Sequence, residues 1–367
     1  MKILVKRGLV VLAIGLLVMV AHTFVHATTI PTVTAQFSTE PSQLPTVVVV
    51  ATGGTIAMKN DPETGEPVPA LSGEDLISVV PELRELANIR VNEFSNIPSD
   101  YMTPEMWLEL SKTIEEVLAN SEVTGVVVTH GTDTLAETAY FLDLTLQSDK
   151  PVVCIGAQRN ASEEDSDGPR NLLNAVRQVL AENASGKGVT VTLNHYINAA
   201  REVRKTHTSN VETFASGDYG YLGYVDEDRV VFYRDSLQRQ KLPLPSSLPR
   251  VDLIAMYTGA DGSYVRHAVD TGAEGIVIEA FGWGNVNEPM YEAIKYALDK
   301  DVPVVIGTRV YYGRTLPVYG FKGGGATLKE IGAVFSDDLV PWKARILMML
   351  AMPLSQNQQE LQAYFDR

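Results

Sequence analysis

The 367-residue sequence contains a single cysteine, Cys154, so no disulfide bond can form within the chain. Cys154 lies in the apolar run 151–156, where a thiol is more typical of a buried core position than of a nucleophile. One cysteine also excludes metal sites built on cysteine pairs, and the sequence has no HExxH motif. The sequence therefore predicts no metal and no other cofactor.

Positive charge is scarce as well. The chain has 30 Lys and Arg residues against 45 Asp and Glu residues, which gives a formal net charge of −15 at pH 7. So acidic a protein repels the phosphates of nucleic acids and of anionic membranes, and we expect neither as a partner. Internal repeats and low-complexity segments are also lacking, and the length suffices for two globular domains.

One apolar segment at the N-terminus stands apart from the rest of the sequence. The run Leu9–Val20 follows basic residues within 2–7 and precedes the short Val-His-Ala ending at 25–27. This order predicts a signal peptide over residues 1–27, and therefore a periplasmic or secreted protein that has no membrane segment after cleavage. A retained N-terminal anchor is the alternative. Residues 28–45, rich in Thr, Pro and Ser, predict a disordered lead-in.

The most informative stretch is TVVVVATGGTIA, at Thr46–Ala57. Four successive valines predict a strand that is buried on both faces. Gly53 and Gly54 then allow a sharp turn and the close approach of a ligand to the main chain. Thr55 follows at the carboxyl end of the strand, where open α/β sheets bind their ligands. A tight turn with a capping threonine is the alternative interpretation.

A second strand and turn repeat this pattern in GVVVTHGTDTLAETAYFLDL, at Gly125–Leu144. Thr132 and Asp133 add a hydroxyl and a carboxylate at the same sheet edge, although Asp133 could serve only as a helix cap. His130 is predicted to be a buried histidine without a catalytic role. A third strand, 151–155, runs into the turn GAQR.

Strands and helices alternate along the whole chain, which predicts an α/β fold with a doubly wound, mainly parallel sheet. We expect a larger N-terminal domain over residues 46–240, a Pro- and Ser-rich linker over 241–250, and a smaller C-terminal α/β domain over 251–367. Residues 58–72 predict a long loop, a candidate lid over the Thr55 turn. A single helix is predicted from 72 to 86.

The polar, irregular segment 198–214 contains Lys205 among several basic residues. A solvated surface cluster is the ordinary interpretation of such a segment. A lysine directed into a site beside a threonine and an aspartate would have another use. Its amine, when desolvated, can accept a proton from a weakly nucleophilic hydroxyl.

Five motifs together resemble the bacterial L-asparaginase family, and most closely its exported, high-affinity type. They are TGGTIA, HGTDT, GAQR, DGPRNL and VRKTHTSNVETF, in the order of the family and at its spacing. The resemblance covers nearly all of the chain after the signal peptide. It implies a homotetramer that hydrolyses L-asparagine to L-aspartate and ammonia, with L-glutamine as a further substrate.

The resemblance also implies the roles of the catalytic residues. Thr55 matches the nucleophile that attacks the side-chain amide carbon and forms an acyl-enzyme. Thr132, Asp133 and Lys205 match a second Thr-Asp-Lys group, which relays protons and positions water. Backbone N–H groups near Gly54 and in the Thr132 turn suit a developing oxyanion.

Further residues match the family's substrate-binding positions. Ser99 and Asp100 match the pair that holds the substrate's α-carboxylate and α-ammonium, and Asp133 also pairs with the ammonium. Ala157 matches a main-chain carbonyl that accepts a hydrogen bond from the amide. The sequence departs from the family in two places: residues 58–74 contain no tyrosine, and Asp100 stands where Gln or Glu is more usual.

Two other functions remain as alternatives. The first is a related amidase that acts mainly on glutamine or another amino-acid amide, as the transamidation subunits do. The second is a periplasmic amino-acid binding protein, which would also have two α/β domains and an export signal. A binding protein has no need of two strand-end threonines and a lysine.

The turn Phe281-Gly282-Trp283-Gly284-Asn285 faintly resembles a dinucleotide-binding fingerprint, but Asn287 replaces its third glycine. A tight strand-to-helix turn is the better interpretation.

Overall fold

The structure is a computed structural model that describes residues 44–237 and 240–366. The predicted signal peptide and nearly all of the predicted lead-in lie outside these residues. Within the described part of the chain, no helix is both long and apolar enough to cross a membrane.

The described residues form strands and α-helices in alternation, with a run of short strands in the middle. The strands are β1 (Thr46–Gly53), β2 (Met58–Asn60), β3 (Pro67–Pro69), β4 (Asn88–Ile97), β5 (Val123–Thr129), β6 (Val152–Ile155), β7 (Val189–Leu193), β8 (Tyr196–Ala199), β9 (Arg204–Lys205), β10 (Phe214–Ala215), β11 (Gly223–Val225), β12 (Val230–Phe232), β13 (Val251–Ala255), β14 (Gly275–Ala280), β15 (Val304–Thr308) and β16 (Val334–Phe335). The helices are α1 (Gly73–Ser78), α2 (Leu83–Leu86), α3 (Pro104–Ala119), α4 (Leu135–Thr145), α5 (Gly168–Val179), α6 (Ser263–Asp270), α7 (Glu288–Leu298), α8 (Gly325–Glu330), α9 (Pro341–Ala351) and α10 (Gln358–Phe365).

An eight-stranded sheet, which we call the N-terminal sheet, has the order β12-β11-β8-β7-β6-β5-β1-β4. The five strands from β7 to β4 are parallel, and the three at the other edge are antiparallel. The predicted α/β fold with a mainly parallel sheet is confirmed. The chain passes from β1 to β4 on one side and then to β5 on the other, so the strand order reverses between β1 and β5. Ligands bind at such a switch point.

The valine-rich strands are buried because helices cover both faces of this sheet. All eight residues of β1 are buried. Val47 and Val49 pack in one core cluster, and Val48 and Val50 pack in another on the opposite face. Two-sided burial explains why the strand sequence shows no alternation of polar and apolar residues. Cys154 is buried in the second cluster, as predicted, and its burial raises the pKa of its thiol.

A second, four-stranded parallel sheet, which we call the C-terminal sheet, has the order β13-β14-β15-β16. Helix α9 packs on it and also contacts α4, which covers the N-terminal sheet. One core cluster therefore joins the C-terminal sheet to α3 and α4, the helices that cover one face of the N-terminal sheet. The predicted linker has no helix or strand, and in it Leu242 is buried and donates its N–H to the carbonyl of Leu144 at 2.7 Å.

Three segments differ from the sequence prediction. The predicted loop 58–72 contains the exposed antiparallel hairpin β2–β3. The single helix predicted over 72–86 is wrong: α1 and α2 are separate, because Pro81 lies between them and has no N–H to continue the ladder. The irregular segment 198–214 contains the two-residue strands β9 and β10, which are too short to give a periodic sequence signal.

Candidate active site

Two turns of the N-terminal sheet meet at the switch point. A β-carbon built on Gly54 would lie 2.2 Å from the Cα of Gly131, so only a residue without a side chain fits there. Gly53 and Gly54 also have φ angles of 103° and 82°, which favour glycine. This backbone approach brings the turn that carries Thr55 against the turn that carries Thr132.

Thr55 opens a single 3₁₀ turn, Thr55–Ala57, and its side chain is partly exposed. The next residue, Ile56, is buried in the core and anchors the turn. The Gly54 N–H donates to the carbonyl of Ile97 at 2.9 Å and is thus already used. Oxyanion donors would therefore have to be other N–H groups of the two turns.

Lys205 lies within hydrogen-bond distance of both Thr132 and Asp133. The Lys205 Nζ donates to the Thr132 Oγ1 at 2.8 Å and to the Asp133 Oδ1 at 2.6 Å. The Asp133 side chain is 60% exposed and that of Lys205 only 21%, so the ion pair faces solvent on one side. The N-cap of α4 is Thr134 rather than Asp133, so Asp133 is not the cap of this helix.

A buried lysine that the sequence analysis missed holds the segment leading to Lys205. Lys343, in α9, is fully buried, and its Nζ donates to the carbonyls of Ala200, Arg201 and Val203 at 2.7 to 2.8 Å. Three carbonyl acceptors match the three N–H groups of an ammonium. Burial lowers the pKa of Lys343. The sequence signal that could have identified Lys343 is a lysine within the mainly apolar run that forms α9.

His130 is buried behind this group. Its Nδ1 lies 2.8 Å from the Gly131 carbonyl and its Nε2 lies 3.0 Å from the Thr138 Oγ1, which accepts a hydrogen bond from the Trp107 Nε1. The Gly131 carbonyl can only accept, so the proton of the neutral His130 is on Nδ1, and the Thr138 hydroxyl donates to Nε2. Burial lowers the pKa of His130 to about 4. His130 is thus a neutral core residue.

The predicted substrate-binding residues Ser99 and Asp100 follow β4 in a short 3₁₀ turn. Ser99 is buried, and its carbonyl accepts a hydrogen bond from the Thr134 hydroxyl at 2.8 Å. A β-carbon on Gly131 would lie 2.7 Å from the Ser99 Oγ, so Ser99 lies directly against the Thr132 turn. Asp100 is exposed beside it.

Ala157 is buried in the turn after β6. A β-carbon on Gly156 would lie 3.0 Å from the Thr132 Cγ2, which places this third turn against the second. The next residue, Gln158, contacts Thr132 directly: its Oε1 lies 3.2 Å from the Thr132 Oγ1. The sequence analysis gave Gln158 no role, although it lies within the GAQR motif.

The geometry therefore joins two strand-end hydroxyls, a carboxylate and an amine at one sheet edge. Such groups can supply a nucleophile, a proton acceptor and a contact for a substrate cation. Hydrolysis by acyl transfer requires the first two of these. The fold and this grouping of side chains at the switch point are typical of one class of protein, the α/β enzymes that hydrolyse small substrates.

Comparisons with known proteins identify the family within this class. The family model "Asparaginase, N-terminal" matches residues 46–238, and the "Glutaminase/Asparaginase C-terminal domain" matches residues 250–365. The chain is 38% identical to the "Probable L-asparaginase periplasmic" of Haemophilus influenzae, over 89% of this chain and 93% of that protein. It is 34% identical to the "L-asparaginase 2" of Escherichia coli, over 94% and 99%.

A solved structure gives the same result. The "Probable Cytoplasmic L-asparaginase from Campylobacter jejuni" aligns with a TM-score of 0.80 and 37% identity, over 87% of this chain and 98% of that one. The chain belongs to the asparaginase family, as the sequence predicted, and it is an amidohydrolase.

Proposed function

We propose that this protein hydrolyses L-asparagine to L-aspartate and ammonia through an acyl-enzyme on Thr55. The observation that carries the proposal is the hydrogen-bonded group of Lys205, Thr132 and Asp133 beside the Thr55 turn. The relatives named L-asparaginase support the choice of substrate.

The reaction has two steps. In the first, the Thr55 hydroxyl oxygen attacks the side-chain amide carbon, and its proton passes by way of Thr132 and Lys205 to the leaving nitrogen. The C–N bond breaks, ammonia departs and an ester to Thr55 remains. In the second step, water attacks the ester with the same residues accepting its proton, which releases L-aspartate and regenerates Thr55.

The substrate is a zwitterion and needs contacts for both charges. Ser99 and the backbone amides beside it would hold the α-carboxylate, while the carboxylates of Asp100 and Asp133 would hold the α-ammonium. The Ala157 carbonyl would accept a hydrogen bond from the substrate amide. The close approach of Gly54 to Gly131 places the Thr55 turn against the Thr132 turn, so both hydroxyls would border the substrate amide. L-Glutamine, longer by one methylene, would be a poorer second substrate.

Ammonia release from purified protein tests this function. We expect release from L-asparagine, and slower release from L-glutamine at equal concentration. Equal or faster turnover of L-glutamine would favour the related amidase. Binding of either amino acid without ammonia release would favour the amino-acid binding protein and overturn the proposed hydrolysis.

We further propose that the protein is exported and forms a homotetramer. The basic and apolar residues of the first 27 positions support export, and one relative is named periplasmic while the structural neighbour is named cytoplasmic. Exposed aromatic residues after β14 and β15, among them Trp283, Tyr312 and Phe321, support subunit contacts. N-terminal sequencing of secreted protein should begin at Thr28, and light scattering should give four times the subunit mass.

A further inference from the structure

The side chain of Gln158 links the proposed relay to a neighbouring loop. Its Oε1 lies 3.2 Å from the Thr132 Oγ1, and its Nε2 lies 3.2 Å from the carbonyl of Asn210 and 3.5 Å from that of His207. The two carbonyls belong to the loop 206–213, which connects β9, where Lys205 is, to β10.

The hydrogen-bond capacities of these groups fix the direction of each bond. Backbone carbonyls only accept, so the amide nitrogen of Gln158 must face the loop and its oxygen must face Thr132. The ammonium of Lys205 only donates, so it occupies a lone pair of the Thr132 oxygen. The Thr132 hydroxyl is then the donor to the Gln158 oxygen. One lone pair of Thr132 remains available.

We propose that Gln158 is a positioning residue for catalysis: it holds the Thr132 proton away from the reacting hydroxyl and tethers the 206–213 loop. This inference rests on the proposed function. Because the Thr132 proton is directed to Gln158, the remaining lone pair of Thr132 can accept a hydrogen bond from the Thr55 hydroxyl or from the attacking water, and so orient either of them before any proton moves. Without Gln158, the Thr132 hydroxyl could rotate and present its own proton instead.

Gln158 is itself firmly held, as a positioning residue must be. Its backbone N–H donates to Asp167 at 3.0 Å, and that of Arg159 donates to the same carboxylate at 3.0 Å. Asn171, in the first turns of α5, contacts Asp167 at 3.1 Å and donates to the Gly156 carbonyl at 2.9 Å. The start of α5 therefore fixes the turn from which the Gln158 side chain extends.

The test compares Gln158→Met with Gln147→Met. Methionine keeps the length of the side chain and removes both of its polar groups. Gln147 is a matched control, because its Nε2 also donates to two backbone carbonyls, those of Thr145 and Leu242, away from the site. Each variant is assayed for ammonia release from L-asparagine, and amide hydrogen exchange is measured by mass spectrometry over the 206–213 segment.

For Gln158→Met we expect kcat to fall about tenfold with KM changed less than about threefold, since the lost hydrogen bond orients a proton and not the substrate. Exchange over 206–213 should become faster. Gln147→Met should change neither quantity. A kcat of Gln158→Met within about twofold of the wild type, or unchanged exchange in the loop, would overturn the role of Gln158.

The failure of the proposed function would look different. A wild-type protein that releases no ammonia would overturn that function, and the proton-orienting role of Gln158 with it. The exchange measurement needs no turnover, so in that case it would still decide whether Gln158 tethers the loop.

Discussion

The carboxyl ends of the parallel strands differ between the N-terminal and C-terminal sheets, although helices cover both sheets. At the N-terminal sheet, the strand-end hydroxyl of Thr132 bonds to Lys205, in strand β9, and to Gln158, in the turn after β6. At the C-terminal sheet, Thr308 ends β15, and its hydroxyl donates to the Gly282 carbonyl at 2.6 Å and accepts from the Val310 N–H at 3.1 Å. The Thr132 hydroxyl thus connects polar side chains, whereas the Thr308 hydroxyl bonds only to backbone groups.

The backbones of the two edges explain this difference. Gly54 and Gly131 bring two turns of the N-terminal sheet into contact, so that side chains from separate strands converge. The corresponding turn after β14 closes on itself, because Phe281 and Asn285 form an isolated bridge. The same topology thus carries a site only where turns approach one another and deliver reactive groups.

The largest expected effect is that of Thr55→Ala. Because the variant lacks the hydroxyl that we assign as nucleophile, ammonia release should fall by several orders of magnitude. Thr55 is partly exposed and its replacement is small, so the thermal melting curve should match that of the wild type. Activity within about tenfold of wild type would show that Thr55, at the edge of the N-terminal sheet, is not the nucleophile.

The second prediction concerns the Lys205 group. Asp133→Asn and Lys205→Met should each lower kcat/KM about a thousandfold, which lies within the range that proton transfer by a positioned side chain contributes. Asp133 is not the cap of α4 and asparagine keeps the size of its side chain, so Asp133→Asn removes the charge without removing a helix cap. Ammonia release by both variants measures the effect, with thermal melts as the control for folding.

The double variant sharpens this prediction. Asp133 and Lys205 act on the same atoms, so the combined loss should be much smaller than the product of the two single losses. If either single variant retains near-normal kinetics, or if the two effects multiply, the relay is wrong and only Thr55 remains as a catalytic residue.

The third prediction follows from the lowered pKa of His130. The folded protein disfavours the proton on this residue, since its pKa falls from 6.5 to about 4 on burial. His130 therefore contributes stability that is fully present above pH 6.5 and is lost as the pH falls from 6.5 to 4. The loss in the free energy of unfolding reaches about 3 kcal/mol at pH 4.

Urea unfolding at pH 7 and at pH 4 measures this loss, with His130→Gln as the comparison. The variant has no titrating group there, so its free energy of unfolding should fall by about 3 kcal/mol less than that of the wild type between the two pH values. Equal losses in both proteins would contradict a neutral, buried His130.

Much of the fold could be predicted from the sequence, because its strongest signals are local. Valine runs and glycine turns indicated the strands of the parallel sheet and the turns that follow them. Thr55, Thr132 and Lys205 could be selected because their motifs resemble those of a known family; their positions alone left a capping threonine and a solvated surface lysine as alternatives. The pairing of Lys205 with Thr132 agrees with that selection.

The rest depended on contacts between distant residues. Gln158 and Lys343 act through backbone carbonyls 49 to 143 positions away along the chain, and carbonyls leave no trace in a sequence pattern. The split between α1 and α2 had a local signal in Pro81, but the apolar residues on both sides of it suggested one continuous helix. The hairpin β2–β3 is exposed, so no apolar alternation marked it.

The smallest expected effect is that of Thr308→Val, the counterpart of the site threonines in the C-terminal sheet. Valine keeps the shape of the side chain and removes the hydroxyl, so the bonds to the Gly282 carbonyl and from the Val310 N–H are lost. We expect the free energy of unfolding to fall by about 1 kcal/mol, the usual net contribution of a hydrogen bond at a partly exposed position. Because this hydroxyl bonds only to backbone groups of the turns after β14 and β15, kcat for ammonia release should stay within about twofold of wild type. Urea unfolding and the ammonia assay, run beside Thr55→Ala, make the comparison direct. A large loss of kcat in Thr308→Val at unchanged stability would mean that the edge of the C-terminal sheet also takes part in catalysis, and the contrast between the two sheets would no longer hold.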